Sequence, residues 1–184
     1  MSYESVSMRK IKEYCKLFRL EQDVVFDRAK CLIDNYHGVI WANAHDGSIE
    51  SEACDKTFNK DLALSYIADF NPSEEKGLIR DKMLKLFEPK WLMDLVATAM
   101  RQVKSFSVNS SDYNDILNNY MSDAPVTDRV LCSTINVGKT TLGTRKREAI
   151  LLFGIALWGI VIQPKTEVKR LLVAETYEPK AMGL

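Results

Sequence analysis

The chain has 184 residues, 46% of them apolar, with 25 basic and 25 acidic side chains. That apolar share is enough to build a buried core, which excludes a disordered chain, and the balanced charge excludes a protein that coats nucleic acid by charge alone. Any affinity for DNA has to come from a local patch.

Residues Met1 to Arg9 hold no continuous apolar stretch of the kind a secretory leader needs. The cysteines Cys15, Cys31, Cys54 and Cys132 show no paired spacing and fit a reducing, cytoplasmic setting. From Val6 to Phe18, Met8, Ile11, Tyr14, Cys15 and Phe18 recur at helical spacing, with Arg9, Lys10, Lys12, Lys16 and Arg19 on the other sides. This predicts an amphipathic helix whose basic residues are first of all a solvated face. Val24, Val25, Ala29, Leu32, Ile33 and Tyr36 continue the period into a second helix ending near Gly38, and His37 to Asp55 reads as a turn-rich connection. Cys31, His37, His45 and Cys54 have the chemistry of zinc ligands but lack the close ligand pair of such motifs, so no metal site is predicted.

Lys60 to Phe70 predicts a short helix stopped by Asn71-Pro72, after which Ser73 offers a cap with Glu74 and Glu75 in the first turn. Pro89 divides the apolar-periodic stretch from Leu78 to Val103 into two helices, because an interior proline loses a hydrogen bond and clashes, at a cost of about 3 kcal/mol. The polar stretch Ser105 to Asp112 marks a boundary. An all-α fold is expected, with a helical N-terminal domain over 1–105, for oligomerisation or partner binding, a helix-turn-helix domain over 110–163, and an extension over 164–184. Asp115 to Tyr120 supplies the scaffold helix.

Thr127 can cap a helix in which Leu131 and Ile135 share a face, and Asn136 stands where the turn needs a left-handed residue. A second helix starts around Gly138 and carries Lys139, Thr140, Thr141, Thr144, Arg145, Lys146 and Arg147 in its first turns, with Leu142 and Ala149 as the inward stripe. Donors first and apolar packing later is the order of a recognition helix, whose early turns meet base edges and phosphates in the major groove. These seven polar residues are the candidate DNA contacts. Gly143 suits a surface that something approaches closely. The apolar run Ala149 to Ile162 spans 14 residues against roughly 20 for a bilayer helix, so it predicts a core helix. Ile160 to Ile162 are expected to leave it as a strand or extended exit, with Pro164 barring further helix.

The run TLGTRKREAILLFGIALWGIVI, Thr141 to Ile162, resembles the C-terminal signature of the ArpU-type transcriptional regulators of phages, which are in turn similar to region 4 of bacterial sigma factors. The resemblance covers roughly Ser110 to Gln163. It implies a phage or prophage DNA-binding regulator acting on late or lysis-related genes, with double-stranded DNA and RNA polymerase as partners. Leu142-Gly143 stands where that pattern tends to have aromatic residues. A phage packaging adaptor of the small-terminase kind, or a helical protein-binding module, is the alternative.

Catalysis is not expected. Gly138-Lys139-Thr140-Thr141 imitates the end of a phosphate loop, but Ser133 occupies the position of its first glycine, and two histidines leave little material for a nucleophilic triad. No cofactor motif is present. A homodimer is expected, with Ile155, Trp158, Ile160 and Ile162 as the apolar surplus to be covered between subunits. The helical phase also places Leu142, Ala149, Phe153 and Leu157 inward. Phe153→Ala should then cost about 3 to 5 kcal/mol in denaturant unfolding, whereas a loss below about 1 kcal/mol would mean that the phase needs rotating.

Overall fold

An apolar helix with no polar side has to be enclosed by partners all round. The run from Ala149 to Ile162 meets that requirement as the axis of the molecule. The computed structural model describes residues 4–45, 57–106 and 108–165. Its elements are α1 (Val6–Leu17), α2 (Gln22–His45), α3 (Lys60–Asp69), α4 (Lys76–Leu86), α5 (Pro89–Ser105), α6 (Ser110–Met121), α7 (Asp128–Thr134) and α8 (Lys139–Gly154), the last continuing as a π-helical segment, Ile155–Ile162. Among the described residues there is no strand, and the fold is all-α as expected.

Local chemistry accounts for most boundaries. Ser5 caps α1, its hydroxyl accepting from the Met8 amide at 3.0 Å. Arg19, at φ 55°, ends it in the left-handed conformation, with the Leu20 amide donating to the Cys15 carbonyl at 2.8 Å. Pro89 opens α5 rather than bending a longer helix, and the Glu88 carboxylate accepts from the amides of Lys90 and Trp91 at 3.0 and 2.6 Å. Helix α4 begins later than expected: Glu75 is its N-cap, while the Ser73 amide donates to Asn71 Oδ1 at 3.0 Å in a side-chain turn. Helix α2 runs past Gly38 to His45, because burial of Val39 outweighs the roughly 1 kcal/mol that glycine costs a helix. The rest of the predicted connection, and the 166–184 part of the extension, lie outside the described residues.

Helix α8 packs on α1, α2, α5, α6 and α7, and the π segment packs on α5 and α3. One apolar core therefore includes Ile11, Val25, Leu92, Val96, Ile116, Phe153 and Leu157, residues from both sides of the boundary expected at Ser105. That polar stretch is a break between helices, and the core continues across it. The extended exit expected at Ile160 to Ile162 is helical instead, and helix persists through Pro164 to Lys165. The π register is the physical reason. The Gln163 amide donates to the Trp158 carbonyl, five residues back, and this wider turn moves the carbonyl ladder that a proline would meet in an α-helix.

Two glycines permit the close crossings. A Cβ on Gly154 would lie 2.5 Å from Val25 Cγ1 and 3.2 Å from the Val25 carbonyl oxygen, and one on Gly159 would lie 2.8 Å from Phe18 Cγ. Trp158 donates its indole N–H to the Ile67 carbonyl at 2.9 Å. Ile155, Trp158 and Ile162 are thus buried within one chain, leaving Ile160 alone of the four residues expected at a subunit interface exposed. The span Lys139–Lys165, 27 residues, is long and apolar enough to cross a bilayer, but 78% of its most apolar window is buried inside the fold. Gly154→Ala should lower stability by about 1 to 2 kcal/mol, since α2 has to shift. Gly143→Ala, whose new methyl would meet nothing within 4 Å beyond the adjoining residues and backbone of its own helix, should raise it by about 0.5 to 1 kcal/mol. Paired denaturant curves check both.

Candidate nucleic-acid interface

Helices α6, α7 and α8 cover the residues expected to form the helix-turn-helix, and α6 and α7 each pack on α8. Helix α7 inserts a single fully buried residue, Leu131. It ends as expected at Asn136, at φ 54°, where the Val137 amide reaches back to the Cys132 carbonyl at 3.0 Å. Thr127 occupies the N-cap position, but its side chain makes no capping bond. The α6–α7 connection is held by Asn119, whose Oδ1 accepts from the Val126 amide at 2.7 Å and whose Nδ2 donates to the Val126 carbonyl at 3.3 Å. Asn119 thereby substitutes for a neighbouring backbone strand, a role that nothing in the residue pattern signals.

The run from Gly138 forms the cap and first turn of α8, with the Leu142 amide donating to the Gly138 carbonyl at 2.9 Å. Successive residues advance about 100° around a helix, and this sorts the seven candidate contacts. Thr140, Gly143, Thr144 and Arg147 are spaced i, i+3, i+4 and i+7 and form one exposed outward face, flanked by exposed Lys139 and Thr141. Arg145 and Lys146 fall on either side of the inward stripe of Leu142 and Ala149 and are half-buried. These two lie at the edges of the exposed face and not at its centre, and the helical phase is the cause.

Arg145 instead belongs to a polar cluster around Glu148, which is 0% exposed. The Ser5 hydroxyl donates to Glu148 Oε1, and the Tyr113 hydroxyl donates to Glu148 Oε2 at 2.8 Å. Arg145, its side chain 19% exposed, places Nη1 at 3.4 Å from Glu148 Oε2 and Nε at 3.7 Å from Asp112 Oδ2. Burial, above all, pushes the Tyr113 phenol up from its ordinary pKa, which keeps it a donor. Asn109, left-handed at φ 57°, donates Nδ2 to the buried Ser7 hydroxyl at 3.3 Å. Glu148 was legible in the sequence only as one acid among bases; its i, i+3 relation to Arg145 at the edge of an apolar run was the available signal.

The two cations that follow Arg145 also meet acids. Lys146 Nζ lies 2.5 Å from Asp128 Oδ1, and Arg147 Nη2 lies 3.3 Å from Asp23 Oδ1. Among the described residues Lys139 has no ion pair. Elsewhere, Cys31 and His37 lie half-buried on α2, and no group of three metal-ligating side chains occurs among the described residues. No protein-family model, curated protein or solved structure matches this chain.

Glu148→Ala should cost about 3 kcal/mol, the low end for removing one partner of a buried pair because Arg145 keeps an edge to water. Equilibrium unfolding measures this. A near-neutral result would show that the cluster opens to solvent.

Proposed function

We propose that this chain binds double-stranded DNA as a transcription regulator, with the first turns of α8 in the major groove and α7 lying across its edge. One observation carries the reading: α8 leaves the core as a supported helix whose outward face is Thr140, Gly143, Thr144 and Arg147, flanked by Lys139 and Thr141. That face offers hydroxyl and cationic donors with no large apolar side chain, and a Cβ on Gly143 would meet nothing within 4 Å beyond the adjoining residues and backbone of its own helix. A helix with such a face suits close approach by a base edge or a phosphate. The left-handed residue Asn136 ends α7 in a short turn before α8, the kind of connection such a unit uses. The resemblance of Thr141–Ile162 to the ArpU-type regulators extends the proposal to a phage or prophage protein acting on late or lysis-related genes.

Selection of bound sequences from random duplex DNA tests the reading directly. Lys139→Ala with Arg147→Ala should weaken binding to the selected site at least about tenfold and flatten the salt dependence by about 0.9 in logarithmic slope for each phosphate no longer neutralised. Melting should change little, because both residues are exposed and the Arg147 contacts with Phe26 and Asp23 lie at the surface. Full affinity in that variant would sink the assignment. A many-subunit ring in light scattering would favour the packaging-adaptor reading instead.

A further inference from the structure

The three consecutive cations after Thr144 share one arrangement. Arg145 lies over the Tyr113 ring at 5.7 Å and faces Asp112; Lys146 lies over Tyr120 at 5.6 Å and faces Asp128; Arg147 lies over Phe26 at 4.8 Å and faces Asp23. The rings come from α6 and α2, the carboxylates from α6, α7 and α2. Each aromatic face fixes where its cation sits, while each carboxylate cancels the charge it shows at a distance. Asp128 and Asp23 are themselves open to water, their side chains 57% and 89% exposed. Pairs so exposed are weak and exchangeable.

From this we infer that Asp23 and Asp128 are selectivity-determining residues of the DNA interface. The inference rests on the DNA-binding reading above. Non-specific association draws on phosphate attraction alone, and the two carboxylates remove two cations from that attraction. A cognate duplex that fits the outward face of α8 brings a phosphate oxygen to the place of each carboxylate. The cation, held on its ring, then changes partner without moving. The acids therefore lower affinity for the wrong duplex more than for the right one, which is selectivity by opposition.

The test compares the full-length protein with the double variant Asp23→Asn/Asp128→Asn on two duplexes, one of random sequence and one recovered by selection, across a salt series. Glu13→Gln/Glu74→Gln, which changes net charge equally on α1 and the α3–α4 connection, is the control. The acid variant should bind random duplex about four- to tenfold more tightly, two- to threefold per carboxylate. Its salt slope on that duplex should be steeper by about 0.9 for each cation released. Binding to the selected duplex should change less than about twofold, and the control should leave the ratio of the two affinities where it was. An unchanged ratio in the acid variant, or an equal shift in the control, overturns the inference while leaving DNA binding intact. Failure of every protein to retain either duplex at low salt overturns the DNA-binding reading itself.

Discussion

A carboxyl group removed from water must be given hydrogen-bond partners and a counter-charge, or its burial is strongly unfavourable. Glu148 meets that condition through Ser5, Tyr113 and Arg145, and the requirement organises much around it. Ser5 is also the cap of α1, Tyr113 is part of α6, and Arg145 is one turn earlier on α8 itself. Satisfying one side chain therefore sets the start of α1, the seating of α6 and the rotation of α8 together. Glu148 also stands at the join between the polar and apolar parts of α8. Residues before it look outward on most sides, and those after it as far as Ile162, Ile160 apart, are enclosed.

The neutral overall charge takes on a local meaning in this arrangement. The basic run after Thr144 reads in one dimension as a positive patch. In three dimensions each of its cations is met by an acid from another helix, and the residues that complete each pair lie as much as 124 positions away in sequence. Charge counted along the chain and charge presented at a surface are different quantities, and the recognition of DNA responds to the second.

Legibility in the sequence divides along the same line. Helices bounded by short-range chemistry could be read: the proline that opens α5, the stop after Phe70, and the left-handed Asn136 all act within a few residues. The inward positions Leu142, Ala149, Phe153 and Leu157 also came from period alone, and all are buried. The π register was beyond reach, since a segment apolar on every side carries no period to read, and with it went the supposed exit at Ile160. So was the continuity of the core past Ser105, because polar residues signal a helix break equally well whether or not packing resumes behind them. In the candidate site the residue types were legible but their orientation was only partly so, as the opposite fates of Arg145 and Arg147 show.

The central position of α8 bears on how the protein is made. During synthesis the residues before Lys139 emerge first, and they include α1, α2, α5 and α6, the helices that close around the apolar run. Until that run has left the ribosome they have no axis to pack on, and their apolar faces stay open to water and to one another. Contacts between α1 and α8 join parts of the chain well over a hundred residues apart, so the entropy of closing the long loop must be met before they reward it. Packing of these helices accordingly waits for α8, and until it has emerged the nascent chain is exposed to aggregation.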